Sequence, residues 1–194
     1  MADILLRDFF EQVGIDYETD LSTQGEIDGE RFGKCYAKLI NQYPELFPDV
    51  ICISPYLRTR RTAHYFLKDV EGLDIDMDQL INEEKLEDLI IGSFKGKEVC
   101  IKIEERIRER DFGSNIAPSY LRDFYGETKG NELLTKLQKD KMYYFTAPVG
   151  GESQIQDNAR VKDFLNSMRA RKEYNNVLAF THHLTMISAL LSVF

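Results

Sequence analysis

The chain has little of what a disulfide scaffold, a nucleic-acid binder or a membrane protein needs. Its three cysteines, Cys35, Cys52 and Cys100, are odd in number, widely spaced and set in apolar patterns. They read as reduced, packed thiols of a cytosolic protein rather than as a disulfide framework or a metal site. Basic residues are outnumbered, 25 Lys and Arg against 33 Asp and Glu, and the net charge of -8 denies the chain the positive field that binding to a nucleic-acid backbone requires. Five prolines and twelve glycines leave little room for long disorder. The start, Met1-Ala2-Asp3-Ile4-Leu5-Leu6-Arg7-Asp8, is too short and too acidic for a signal peptide. Only the closing stretch, Val177 to Phe194, is apolar for about the length of a membrane span, and Thr181-His182-His183 in its interior would be costly in lipid. It reads as a buried strand plus a helix, so neither a membrane nor a nucleic acid is an expected partner. Asp74-Ile75-Asp76-Met77-Asp78 lacks the glycine and closing glutamate of a calcium loop and reads as a solvated face.

What is present fits one domain with a real core: 194 residues, 43% hydrophobic and 30% charged. Apolar runs suited to strands alternate with helical patterns. Ile4 to Leu6, Val50 to Ile53, Val99 to Ile103 and the run from Val177 read as strands. A helix is expected from about Ser22 to before Pro44, with Ser22 or Thr23 as its cap and Glu26 completing a capping box from Thr23. Further helices are expected over Tyr56 to Lys68, in short form over Asp78 to Leu89, over most of Ser119 to Lys139, and over Ser153 to Lys172, with a turn at Gly92/Gly96. Strands separated by helices imply a mostly parallel sheet covered on both faces.

Two distant segments stand out. In Ser54-Pro55-Tyr56-Leu57-Arg58-Thr59-Arg60-Arg61-Thr62-Ala63 and in Thr181-His182-His183-Leu184-Thr185, an apolar run ends in a polar turn that presents an Arg or a His and then opens a helix. Open α/β sheets collect ligands at such strand ends. A guanidinium fork can hold two phosphate oxygens at once, and a few clustered arginines make a positive pocket even in an acidic chain.

The first of these segments resembles the S-P-x-x-R-x-x-x-T-A segment of the histidine phosphatase superfamily, which includes the cofactor-dependent phosphoglycerate mutases. Leu21-Ser22-Thr23-Gln24-Gly25, Arg108-Glu109-Arg110-Asp111-Phe112-Gly113, Gly150-Gly151-Glu152-Ser153 and Thr181-His182-His183-Leu184-Thr185 resemble four more of its segments, in the family's order. The resemblance implies a three-layer α/β/α sandwich of phosphoglycerate-mutase type with a mostly parallel central sheet. It implies a single domain over residues 1–194, an insertion at about 69–97, and a further helix and strand beyond Phe194. The implied chemistry is hydrolysis of phosphate monoesters, on a small phosphorylated molecule or a phosphorylated protein, with no cofactor or metal. Arg7, Arg58 and His182 would bind the phosphate, and Glu152 would protonate the leaving oxygen. The nucleophile would be a histidine in an R-H-G turn after the first strand, and here Asp8 stands in its place after Arg7, followed by Phe9. A carboxylate beside a phosphate dianion repels it by on the order of a few kcal/mol at short range. Asp8 therefore opens two readings: a phosphatase acting by an altered route, or an impaired pseudophosphatase that binds phosphate or a phosphorylated partner without turnover. His183 stands where the family has glycine and is expected to crowd the phosphate turn.

Overall fold

The computed structural model describes residues 18–82, 87–111, 122, 125–139 and 151–193. The expected strand at Ile4 to Leu6 lies outside these residues. The described residues fall into two compact units, one within Asp16–Arg108 and Phe164–His182, the other within Glu109–Asp163 and His183–Phe194.

The first unit is built on a sheet of five strands: β1 (Val50–Ile53), β2 (Leu73–Asp74), β3 (Leu89–Phe94), β4 (Lys97–Ile103) and β5 (Val177–Phe180), in the order β2-β3-β4-β1-β5. All four residues of β1 are buried because both of its faces are covered. Ile51 and Ile53 pack with Ala63, Leu67 and Ile101 on one side. Val50 and Cys52 pack with Ile107, Phe164 and Met168 on the other. Burying a side chain such as Ile51 contributes roughly 1.5–3 kcal/mol, so this strand anchors the unit. β1 runs parallel to both neighbours, with Ile53 opposite Ile103 on β4 and Phe180 on β5. That register brings the carboxyl ends of β1 and β5 side by side, and Ser54 N–H closes the pair by donating to the Phe180 carbonyl at 3.0 Å.

The outer part of the sheet is antiparallel, β3 pairing with both β2 and β4. It corrects two local expectations. Of the helix expected over Asp78 to Leu89, the described residues show a 3₁₀ turn at Met77–Leu80, residues 83–86 lie outside the described residues, and Leu89 opens β3, where Ile90 faces inward opposite Ile101. The turn is not at Gly92 but at Lys95-Gly96, both at positive φ (49° and 83°), the geometry of a two-residue type I′ hairpin. Gly92 sits inside the strand, where a Cβ would lie 2.5 Å from the Asp74 carbonyl oxygen.

Helices α1 (Thr23–Gln42) and α2 (Leu57–Leu67) cover one face. α1 starts at Ser22, whose Oγ accepts from Gly25 N–H at 3.1 Å. With Ser22 as the cap, Glu26 falls one residue too late for a capping box. Its carboxylate instead accepts from the Tyr65 hydroxyl at 3.0 Å and lies 3.9 Å from Arg61. Gly33 lets α1 approach α2 backbone to side, since a Cβ there would lie 2.5 Å from the Phe66 carbonyl oxygen.

Among the described residues three more α-helices follow: α3 (Glu127–Lys139), α4 (Gln154–Ala170) and α5 (His183–Leu191). Residues Phe164, Leu165 and Met168 of α4 belong to the first unit and cover the second face of its sheet. Around β1 the layers are therefore helix, sheet, helix. Among the described residues no helix is long and apolar enough to cross a membrane.

Candidate functional site

Arg58, Arg60 and Arg61 stand on one helix, and the turn of about 100° per residue sends each to a different place. Arg60 is buried, 1% exposed, with Nε donating to the Pro55 carbonyl at 2.9 Å and a terminal nitrogen donating to the Leu80 carbonyl at 3.1 Å. It ties the start of α2 to the 3₁₀ turn. Arg61 faces outward and pairs with Asp20 at 2.8 Å. Arg58 lines a cavity of about 150 Å³ with Leu21, Thr59, Thr62, Phe180, Thr181 and His182. The guanidinium carbon of Arg58 lies 4.6 Å from the centre of the Tyr56 ring, and that ring meets the His182 imidazole edge-on at 4.8 Å between centres.

His182 is almost buried, 9% exposed. Its Nε2 lies 2.7 Å from Ser54 Oγ and 3.2 Å from Thr59 Oγ1. Thr181 is fixed by its hydroxyl, which donates to the Ile107 carbonyl at 2.7 Å. The described residues lining the cavity thus include one guanidinium, one imidazole and three threonine side chains whose hydroxyls bond to Ile107, His182 and Arg58, and no carboxylate. The cavity also lies at the first turn of α2, the positive end of the helix dipole. A pocket of this size and sign suits a tetrahedral oxyanion.

Glu152 belongs to the second unit, where it heads a polar network. Its two carboxylate oxygens accept from Arg160 Nε and from a terminal Arg160 nitrogen, each at 3.1 Å, and the second also accepts from the Asp111 N–H at 3.2 Å. Arg160 donates in turn to Asp157 at 2.7 Å. Asp157 is fully buried and accepts from the Ser188 hydroxyl at 2.5 Å. Gln154 joins the group by donating to Ser188 at 2.7 Å and accepting from Arg110 at 2.8 Å. His183 opens α5 with its side chain exposed. Asp76 caps the 3₁₀ turn, accepting from Asp78 N–H at 3.1 Å. Among the described residues no group of three or more His, Cys, Asp or Glu side chains could hold a metal ion.

The sequence model of the histidine phosphatase superfamily, branch 1, matches residues 89–194. The chain belongs to the histidine phosphatase superfamily. The matched stretch includes Arg108, Glu152 and His182 and begins after Arg58. Two solved structures share the superfamily fold with this chain. "Mycobacterial hydrolase 1" is 15% identical at a TM-score of 0.57, over 91% of this chain and 69% of that one. The alpha-ribazole phosphatase from Shigella flexneri is 17% identical at a TM-score of 0.55, over 87% of this chain and 64% of that one. At these identities the likeness is one of fold, and this superfamily member spans about two thirds of either solved chain. No curated protein matches the sequence.

Of the residues singled out in the sequence, Arg58 and His182 line one pocket, and Glu152 is held in its own unit by Arg160. Arg7 and Asp8 lie outside the described residues. Four polar residues in these surroundings had not been singled out: Ser54, Thr59, Asp157 and Arg160. Ser54 and Thr59 stand inside the quoted Arg58 segment, and Asp157 and Arg160 follow Glu152 within two helical turns, so nearness in sequence to the superfamily segments was the available signal.

Proposed function

We propose that this chain is a phosphate-monoester phosphatase of the histidine phosphatase type. Arg58 holds two phosphoryl oxygens through its guanidinium fork, and His182 donates to a third. Charge on a phosphoryl group in flight is stabilised mainly by fixed cations and donors, which is what the Arg58 pocket supplies. Glu152 acts as the general acid on the leaving oxygen, and Arg7 adds a second guanidinium. The substrate is a small phosphorylated molecule or a phosphorylated protein. The observation that carries this reading is the meeting of Arg58 and His182, from opposite ends of the chain, in one cavity whose described lining has no carboxylate.

Asp8 favours a second reading, a pseudophosphatase that binds phosphate or a phosphorylated partner without turnover, because by the resemblance of its segment a carboxylate takes the nucleophile's place. Hydrolysis of p-nitrophenyl phosphate between about pH 5 and 8, by this chain and by its Asp8→His variant, separates the two. Turnover by the unaltered chain supports the phosphatase. Silence in the unaltered chain with activity in the variant supports the disarmed form, and silence in both sinks the catalytic reading.

A further inference from the structure

Two buried hydroxyls converge on one ring nitrogen in the Arg58 pocket. Ser54, fully buried, stands one residue beyond β1, and Thr59, 5% exposed, lies in the first turn of α2. Both reach Nε2 of His182, at 2.7 and 3.2 Å. Buried polar atoms without partners are costly, and a hydroxyl can be satisfied in many ways; placing two of them on the same nitrogen fixes the plane and direction of the imidazole. The Tyr56 ring bounds the same imidazole edge-on at 4.8 Å. All three supports come from the six residues that also present Arg58, so the imidazole and the guanidinium are set relative to each other by one short segment.

The choice of hydroxyls has chemical consequences. A carboxylate on Nε2 would favour the charged ring and repel an incoming anion, whereas a hydroxyl donates to an unprotonated nitrogen and accepts from a protonated one. The ring stays held in either state, and no negative charge is added to the pocket.

The geometry points to Ser54 and Thr59 as positioning residues that hold His182 at Nε2 and thereby aim its other ring nitrogen, Nδ1, at a phosphate oxygen. This rests on the reading of His182 as a phosphate contact. The test is calorimetric titration with inorganic phosphate of the full chain and of Ser54→Ala, Thr59→Val, Thr59→Ser and His182→Ala, each with its fold checked by circular dichroism. Ser54→Ala and the isosteric Thr59→Val are expected to weaken phosphate binding about fivefold to tenfold, the loss of one hydrogen bond, and Thr59→Ser is expected to retain it. In a His182→Ala background, Ser54→Ala and Thr59→Val are expected to cost nothing further, because a positioning residue acts only through the group it positions. The ¹⁵N resonance of His182 Nε2 is expected to move in Ser54→Ala without ligand present. If His182→Ala weakens phosphate binding while Ser54→Ala and Thr59→Val do not, or if they weaken it equally without His182, the proposal is overturned and the pocket stands. If the unaltered chain binds no phosphate, or His182→Ala leaves its affinity unchanged, the reading of the pocket falls and this proposal with it.

Discussion

Gly33→Ala sets two helical effects of known size against each other. Alanine in a helix interior is favoured over glycine by about 1 kcal/mol, so on an isolated helix this change would stabilise. Here the added Cβ would stand 2.5 Å from the Phe66 carbonyl oxygen, 2.9 Å from its Cα and 3.0 Å from its carbonyl carbon. These are backbone atoms of α2 and have no rotamer by which to withdraw. Reaching an ordinary contact of 3.4 Å from 2.5 Å requires α1 and α2 to part by about 0.9 Å, which loosens every side-chain contact along their shared face. Overpacking of this kind costs about 1–3 kcal/mol, and with the propensity gain subtracted the expected net loss is about 0–2 kcal/mol, a fall in Tm of up to about 8 °C for a chain of this size. Gly29→Ala is the matched control: its Cβ would meet only Tyr65 Cβ at 3.1 Å, so the propensity gain and the crowding nearly offset. Thermal melts of the three proteins by circular dichroism decide the matter. A Gly33→Ala chain that melts above the parent, as the propensity gain alone would have it, would refute the close approach on which the α1–α2 packing rests.

Other expectations follow from single contacts. Glu152→Gln is expected to cut turnover of alkyl phosphates, which need a protonated leaving oxygen, far more than turnover of p-nitrophenyl phosphate; equal losses on both would remove its role as the acid. Burial works against the Glu104 charge, but hydrogen bonds from the Arg106 side chain and backbone hold its carboxyl below the ordinary 4.5. A carboxyl depressed in the folded state contributes stability at neutral pH that is lost as the pH falls through and below its ordinary value. Glu104→Gln should therefore cost about 1 kcal/mol at pH 7 and progressively less as the pH falls below 4.5, and a loss that stays constant with falling pH would contradict the assignment. Burial, aided by the nearby Glu104 carboxylate, pushes the Cys52 thiol up to about 12, while Cys35 is exposed. Iodoacetamide at pH 8 should label Cys35 in the native chain and leave Cys52 unmodified until the chain is unfolded, as mass spectrometry of the digest would show.

The parts of the fold legible in the sequence are those whose pattern is local. The run Val50 to Ile53 is apolar at every position because both faces are covered, and it stands out as a buried strand without any tertiary knowledge. Thr181-His182-His183 breaks the apolar tail where β5 ends and α5 begins. The charged stretch before β4 was harder. β2 is only two residues long and exists by pairing with β3, and the apolar residues from Leu80 to Ile91 satisfy a helical spacing as readily as a strand's until Ile90 is seen opposite Ile101. The cap of α1 turned on one residue: Ser22 and Thr23 carry the same chemistry, and choosing Ser22 moves Glu26 out of the box and toward Tyr65 on another helix. For the site, Arg58 and His182 were readable from their segments. Their convergence on one pocket was implied by the resemblance of those segments, but the grip of Ser54 and Thr59 on the imidazole depends on the parallel register of β1 and β5, which no local pattern encodes.

The central claim is that Arg58 and His182 form a phosphoryl-binding pocket, and binding of vanadate, a phosphate mimic, tests it without requiring turnover. Calorimetric titration of the unaltered chain should give saturable binding at one site. Arg58→Ala and His182→Ala should each weaken that binding by about tenfold or more, the loss of charge-assisted hydrogen bonds worth about 1.5–3 kcal/mol. Equal vanadate affinity in all three proteins would contradict the account.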